Sequence, residues 1–225
     1  METFARTEKK YLLDPDQYRQ LLAKLNEHVR PDRYYETDIC SLYYDTQNYQ
    51  LIRRSIEKPE YKEKLRVRSY GEAEGDDKVF VELKKKFDGT VYKRRTKAKC
   101  DEVLNDIYHC SFKDEQVGKE IFYALDHYGH LEPKIFIGCL RTSFRGVDDE
   151  DLRITFDKGI RYRLKDLSLK NSDQDIILTD KIVMELKIKD AMPLWLVRIL
   201  DEAKAYPRGF SKVGNAFTQG LKRSI

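Results

Sequence analysis

The sequence predicts an α+β fold, an antiparallel β protein with its helices packed on the outside. Three observations carry this. Apolar and charged residues alternate with period two in at least five segments, which marks strands with one dry and one polar face. Turn-forming stretches such as GEAEGDD and DG separate some of these segments. Elsewhere apolar residues recur at three- and four-residue spacing, which marks amphipathic helices. The chain has 225 residues and is 40% hydrophobic and 36% charged, with 15 Tyr and 10 Phe. That length suits one domain spanning residues 1–225, and the aromatic content argues against disorder.

Residues 3–12 read as a strand in which Arg6, Glu8 and Lys10 share a face. Asp14 then caps a helix with Pro15 at its first position and Leu21, Leu22 and Leu25 on its apolar stripe. TDICSLYYD (37–45) reads as a strand ended by Asp45, and Tyr49–Ile56 is ambiguous. Strands follow at Tyr61–Gly71 and Lys78–Phe87; the Asp88–Gly89 turn then leads to a third at Val91–Lys99. The middle is helical over 101–109 and 114–130, with Val117, Ile121, Phe122 and Leu125 at helical spacing. Strands resume at 134–145, 152–157 and 182–189. Pro193 opens a helix running to about Tyr206, and Ser211 caps a last helix over 212–222.

The net charge is only +4, from 43 basic and 39 acidic residues, so the cations matter by position rather than by excess. Cys40, Cys100, Cys110 and Cys139 form no C-x-x-C pair, which suits buried thiols in a reducing compartment. His127 and His130 stand three apart with no third ligand in view, which does not make a zinc site. The N-terminus has no apolar signal core, and no run approaches the ~18 apolar residues of a membrane span. The expectation is a cytoplasmic protein with no transmembrane segment.

The stretch YKEKLRVRSYG (Tyr61–Gly71) places Lys62, Lys64, Arg66, Arg68 and Tyr70 on one face. Such a face can meet solvent, as in an ordinary sheet. A sheet curled into a barrel would instead turn it into a wet lumen. A cation-lined lumen needs an anion. Arg forks and Lys point charges suit phosphate oxygens, and a carboxylate suits the hard metal ion that accompanies them.

EKKY (8–11), SLYYD (41–45), KLRVRSYG (64–71), VFVELKKK (79–86), LRTSF (140–144), LRITFD (152–157), MELK (184–187) and FSK (210–212) occur in this order. In this the chain resembles the catalytic domain of VTC-type polyphosphate polymerases, in the triphosphate tunnel metalloenzyme (CYTH-like) superfamily. The resemblance implies an eight-stranded antiparallel β tunnel with helices outside. It implies transfer of the ATP γ-phosphate to a growing inorganic polyphosphate chain, with Mn²⁺ or Mg²⁺. By position it assigns phosphate binding to Lys10, Arg66, Arg68, Lys84, Arg141, Ser211 and Lys212, and metal binding to Glu185. Arg66, Arg68, Lys84, Arg141 and Glu185 form the catalytic set. Glu8, Glu82 and Asp157 share faces with cations and read either as metal ligands or as ion-pair partners.

The chain departs from the pattern at Cys139, where the family often has Tyr two residues before the Arg of LRTSF. The sensing SPX domain and membrane domain of fungal members are also not expected here, which leaves room for a separate membrane partner. An inorganic or nucleoside triphosphatase on the same tunnel, with water attacking, is the first alternative. The second is a non-catalytic polyphosphate-binding module. A nucleic-acid partner is disfavoured by the modest net charge and by carboxylates interleaved with the cations.

Overall fold

The structure is a computed structural model that describes residues 7–88, 90–189 and 191–223. Arg6, the rest of the expected first strand before Thr7, and Gly89 of the expected turn lie outside the described residues. The element order is β1 (Thr7–Leu13), α1 (Pro15–Leu25), β2 (Val29–Asp45), α2 (Gln50–Glu57), β3 (Tyr61–Tyr70), β4 (Lys78–Phe87), β5 (Thr90–Lys99), α3 (Cys100–Asn105) and α4 (Glu115–Tyr128). Then come β6 (Glu132–Gly146), β7 (Arg153–Arg163), β8 (Ile176–Ile177), β9 (Ile182–Ile188), α5 (Leu194–Glu202) and α6 (Lys212–Arg223). The strands are hydrogen-bonded in the order β1-β9-β7-β6-β2-β3-β4-β5, with the two-residue β8 beside β7. This is the expected α+β class with eight main strands, antiparallel in register.

The chain forms two compact units, each assembled from separated segments: residues 1–37, 139–160 and 179–211, and residues 38–138, 161–178 and 212–225. In the first unit, β1 pairs with β9, and β9 with β7. Their apolar faces supply Tyr11, Leu13, Ile154, Phe156, Met184 and Leu186 to one core, which also takes Leu21 and Leu25 of α1 and Leu196, Ile199 and Leu200 of α5. Helix α1 starts as expected. Asp14 accepts from Gln17 N at 2.9 Å and Gln17 Oε1 accepts from Asp14 N at 3.1 Å, a reciprocal cap, with Pro15 next. The Gln17 amide also donates to Ala203 O and Lys204 O at 3.1 and 3.0 Å, tying α1 to the end of α5.

In the second unit, β3 pairs with the end of β2 and with β4, and β4 with β5. Leu65 and Val67 of β3 and Val79, Val81 and Leu83 of β4 point into a core closed by Val103 of α3 and Ile121, Ala124 and Leu125 of α4. Asp114 caps α4 by accepting from Val117 N at 3.0 Å, and Gly129 ends it at φ +76°.

Several boundaries differ from the sequence expectation. β2 begins at Val29 rather than residue 37, because Pro31 and the polar RPDR stretch hide the strand period. The ambiguous 49–56 stretch is helix α2. Asp45 holds its first turn, accepting from Leu51 N at 2.9 Å and Ile52 N at 2.8 Å. α3 is shorter than expected, and α5 ends at Glu202, before Lys204 takes φ +51°.

Candidate functional site

The second unit carries a cationic ladder on one face of β3–β5. Residues directly opposite on paired strands share a face, so the register fixes its rungs. One rung is Lys64–Lys84–Lys93, three lysines side by side. The next is Tyr43–Arg66–Glu82–Arg95, and the next Ser41–Arg68–Phe80–Lys97. Like charges directly opposite one another disfavour a sheet, so three lysines in register are not there for the sake of the strand pairing.

Glu82 is the hub. It is 1% exposed. Its Oε2 accepts from Arg66 Nε at 2.7 Å, with Arg66 Nη2 at 2.5 Å and Arg68 Nη1 at 3.8 Å. Its Oε1 faces Lys93 Nζ at 2.9 Å and Arg95 Nε at 3.5 Å. Burial alone would raise the Glu82 carboxyl, but Arg66, Arg68 and Lys93 outweigh it and hold the group well below the usual carboxylate range. Arg66 also donates from Nη1 to the Tyr43 hydroxyl at 3.0 Å. Burial pushes that phenol up, while Arg66, Lys64 and Arg68 pull it down more strongly, to about 7. Arg68 Nε donates to Ser41 Oγ at 3.3 Å.

The first unit arranges its charges differently. On β9, Glu185 stands opposite Lys10 of β1 and Thr155 of β7. Its carboxylate meets Lys187 Nζ at 3.1 Å and Lys10 Nζ at 3.8 Å. Lys10 also meets Glu8 Oε1 at 3.3 Å. Burial again pushes the Glu185 carboxyl up, and Lys187, Lys10 and Arg141 together hold it well below the usual range. Arg141 of β6 makes a two-pronged pair with Asp157 of β7, at 2.6 and 2.8 Å, so Asp157 reads as the partner that orients Arg141. Asp32 is buried between Arg145, at 2.9 Å, and Arg153. The segment leading to Ser211 lies along β1: Arg208 N donates to Lys10 O at 2.7 Å, and Pro207 bridges Tyr11. Ser211 is half-buried there, and in the second unit Lys212 opens α6. Cys139 is buried.

Within the units, then, Arg66, Arg68 and Lys84 share one ladder, and Lys10, Arg141 and Glu185 belong to one set of paired charges. Sequence reasoning missed Tyr43 as a partner of Arg66, Asp32 as a buried carboxylate, and the Lys93 and Arg95 contacts to Glu82. Lys93 and Arg95 alternate visibly along β5, but only the β4–β5 register shows which carboxylate they meet.

Among the described residues, no group of three or more His, Cys, Asp or Glu side chains is placed to hold a metal ion alone. Mg²⁺ and Mn²⁺ usually take one or two carboxylates and complete their shell with phosphate oxygens and water. Glu185, with Glu8 beside the same lysine, fits that kind of shared site. Glu82 differs in that both of its oxygens are taken up by cations, Oε2 by Arg66 and Arg68 and Oε1 by Lys93 and Arg95.

The family model described as the VTC domain matches residues 5–221. The comparison with curated proteins finds no match. Among solved structures, the chain is similar to a candidate adenylate cyclase from Bacillus halodurans, at 13% identity and a TM-score of 0.57, covering 91% of this chain and 92% of that one. It is also similar to a protein from Pyrococcus horikoshii, at 13% identity and a TM-score of 0.49, covering 95% and 99%. At such identities the likeness is one of fold, and the first structure carries it.

Proposed function

Because the chain belongs to the VTC domain family, we propose that it is a polyphosphate polymerase that acts as one domain and moves the γ-phosphate of ATP onto the end of an inorganic polyphosphate chain. One observation supports this above the others: four cations converge on one buried carboxylate, Glu82. On this reading the arginines and lysines of that face, which suit phosphate oxygens as forks and point charges, meet the oxygens of a polyphosphate.

Phosphoryl transfer asks little covalent chemistry of a protein; it needs in-line placement and charge neutralisation. On this reading Arg66, Arg68, Lys84 and Arg141 each have the role of binding phosphate oxygens and offsetting the charge that develops on them. Tyr43 and Glu82 fix the Arg66 fork before substrate arrives, and Asp157 does the same for Arg141. Glu185, with Glu8, would hold a Mn²⁺ or Mg²⁺ ion, whose chemistry is to neutralise phosphate oxygens. Lys10 and Lys212 follow the acceptor or product chain, with Ser211 beside them and backbone N–H groups at the start of α6 available to phosphate. The nucleophile is the terminal oxygen of the acceptor, already anionic, so no histidine or cysteine base is required. No helix among the described residues is long and apolar enough to cross a membrane.

The test is a product assay. The chain is incubated with ATP and Mn²⁺, and the products are resolved on a gel. Long polyphosphate chains are expected. Free phosphate as the sole product would assign the protein to hydrolysis instead.

A further inference from the structure

The cationic ladder ends in an aromatic cluster that the phosphate chemistry leaves unused. Tyr70 closes the Lys62–Tyr70 face of β3 and is 49% exposed. Its ring meets Phe80 edge-on, at 5.6 Å between centroids and 82° between planes. Arg95 lies over the Phe80 ring at 3.5 Å and donates to the Tyr70 hydroxyl at 3.1 Å. That same Arg95 reaches Glu82 at 3.5 Å, so the cluster is continuous with the phosphate-binding cations. Tyr43, on the same face, is buried and bonded to Arg66, whereas Tyr70 keeps half of its surface open.

We infer that Tyr70, held by Phe80 and Arg95, is the stacking surface for the nucleobase of the triphosphate donor. The inference rests on the triphosphate reading and adds to it a base subsite and a direction. From Tyr70 to Arg66 the strand advances four residues, about 13 Å at ~3.3 Å each. That reach matches a nucleoside triphosphate laid from base to terminal phosphate. The base then sits on Tyr70, the first phosphates pass Arg68, and the terminal phosphate reaches Arg66 and the lysine rung. Stacking on an aromatic face accepts any base, so Tyr70 separates nucleotides from bare phosphate chains more than ATP from GTP.

The test measures the binding of ATP and of inorganic tripolyphosphate by calorimetry, with the whole chain and no added divalent metal, so that turnover does not intervene. Tyr70→Ala is expected to weaken ATP about tenfold or more and to leave tripolyphosphate within about twofold, the signature of a lost stack. Tyr70→Phe keeps the ring, loses only the hydroxyl that Arg95 uses, and retains ATP affinity. Unchanged ATP binding in Tyr70→Ala, or equal weakening of both ligands, overturns the base subsite while leaving the phosphate site standing. Failure of the unmodified chain to bind tripolyphosphate overturns the triphosphate reading, and the inference with it.

Discussion

On the β3–β5 face one buried carboxylate stands among four cations. In the other unit four carboxylates, Glu8, Glu185, Asp157 and Asp32, answer five cations, Lys10, Lys187, Arg141, Arg145 and Arg153. Both regions arise from the same alternating strand pattern. They differ in whether the chain itself supplies the counter-charge. Where it does, as at Arg141 and Asp157, the pair is complete within the protein and its value lies in orientation. Around Glu82 one carboxylate is shared among four cations, and on the proposed function a polyanion is what those cations are there to meet.

The largest expected effect comes from removing a cation on the imbalanced side. Arg66→Ala should lower ATP-dependent chain synthesis by about a thousandfold, on the scale of lost arginine contacts in phosphoryl transfer, with the circular dichroism spectrum unchanged. Glu185→Gln tests the other side. It keeps shape and burial but removes the charge, and should abolish Mn²⁺-dependent turnover while tripolyphosphate binding persists.

Stability sharpens the contrast next. Glu82→Gln leaves four cations without their anion and should destabilise the chain by roughly 2–4 kcal/mol in urea unfolding, below the full buried-pair cost because Lys93 and Arg95 keep some solvent access. The pH dependence follows with a definite sign. Glu82 and Glu185 have carboxyls held below their usual values, so their stabilisation is present above the unfolded carboxylate value of about 4.3 and is lost as pH falls through the folded values. Acid unfolding monitored by fluorescence should therefore show a steep loss below about pH 4 that is shallower in Glu82→Gln.

The smallest effect is spectroscopic. Tyr43, at about 7, should add a phenolate absorbance step near neutral pH that Tyr43→Phe removes. Tripolyphosphate should move the step upward, because a bound anion offsets Arg66 and Arg68. A step that ignores tripolyphosphate would separate Tyr43 from the phosphate site.

Much of this was legible in the residues. Leu65 and Val67 against Arg66 and Arg68 gave the strand and its two faces, and Asp14, Pro15 and Gln17 gave the start of α1. Helix α2 was not legible, because the carboxylate that caps it, Asp45, lies several residues upstream at the end of a strand. The candidate site residues Arg66, Arg68, Lys84, Arg141 and Glu185 stood out by motif. Their partners did not, because partnership is a matter of register. Glu82 becomes a hub only when β3, β4 and β5 align Arg66 and Arg95 on either side of it, and no local pattern encodes that alignment.

The central claim is that the β3–β5 face is incomplete without a polyanion. The direct measurement is the thermal unfolding midpoint with and without tripolyphosphate, for the unmodified chain and for the Arg66→Ala/Arg68→Ala double variant. The account predicts a ligand-dependent rise of several degrees in the unmodified chain, as mass action requires for a ligand that binds only the folded state, and little or none in the double variant. An equal rise in both, or none in the unmodified chain, would contradict it.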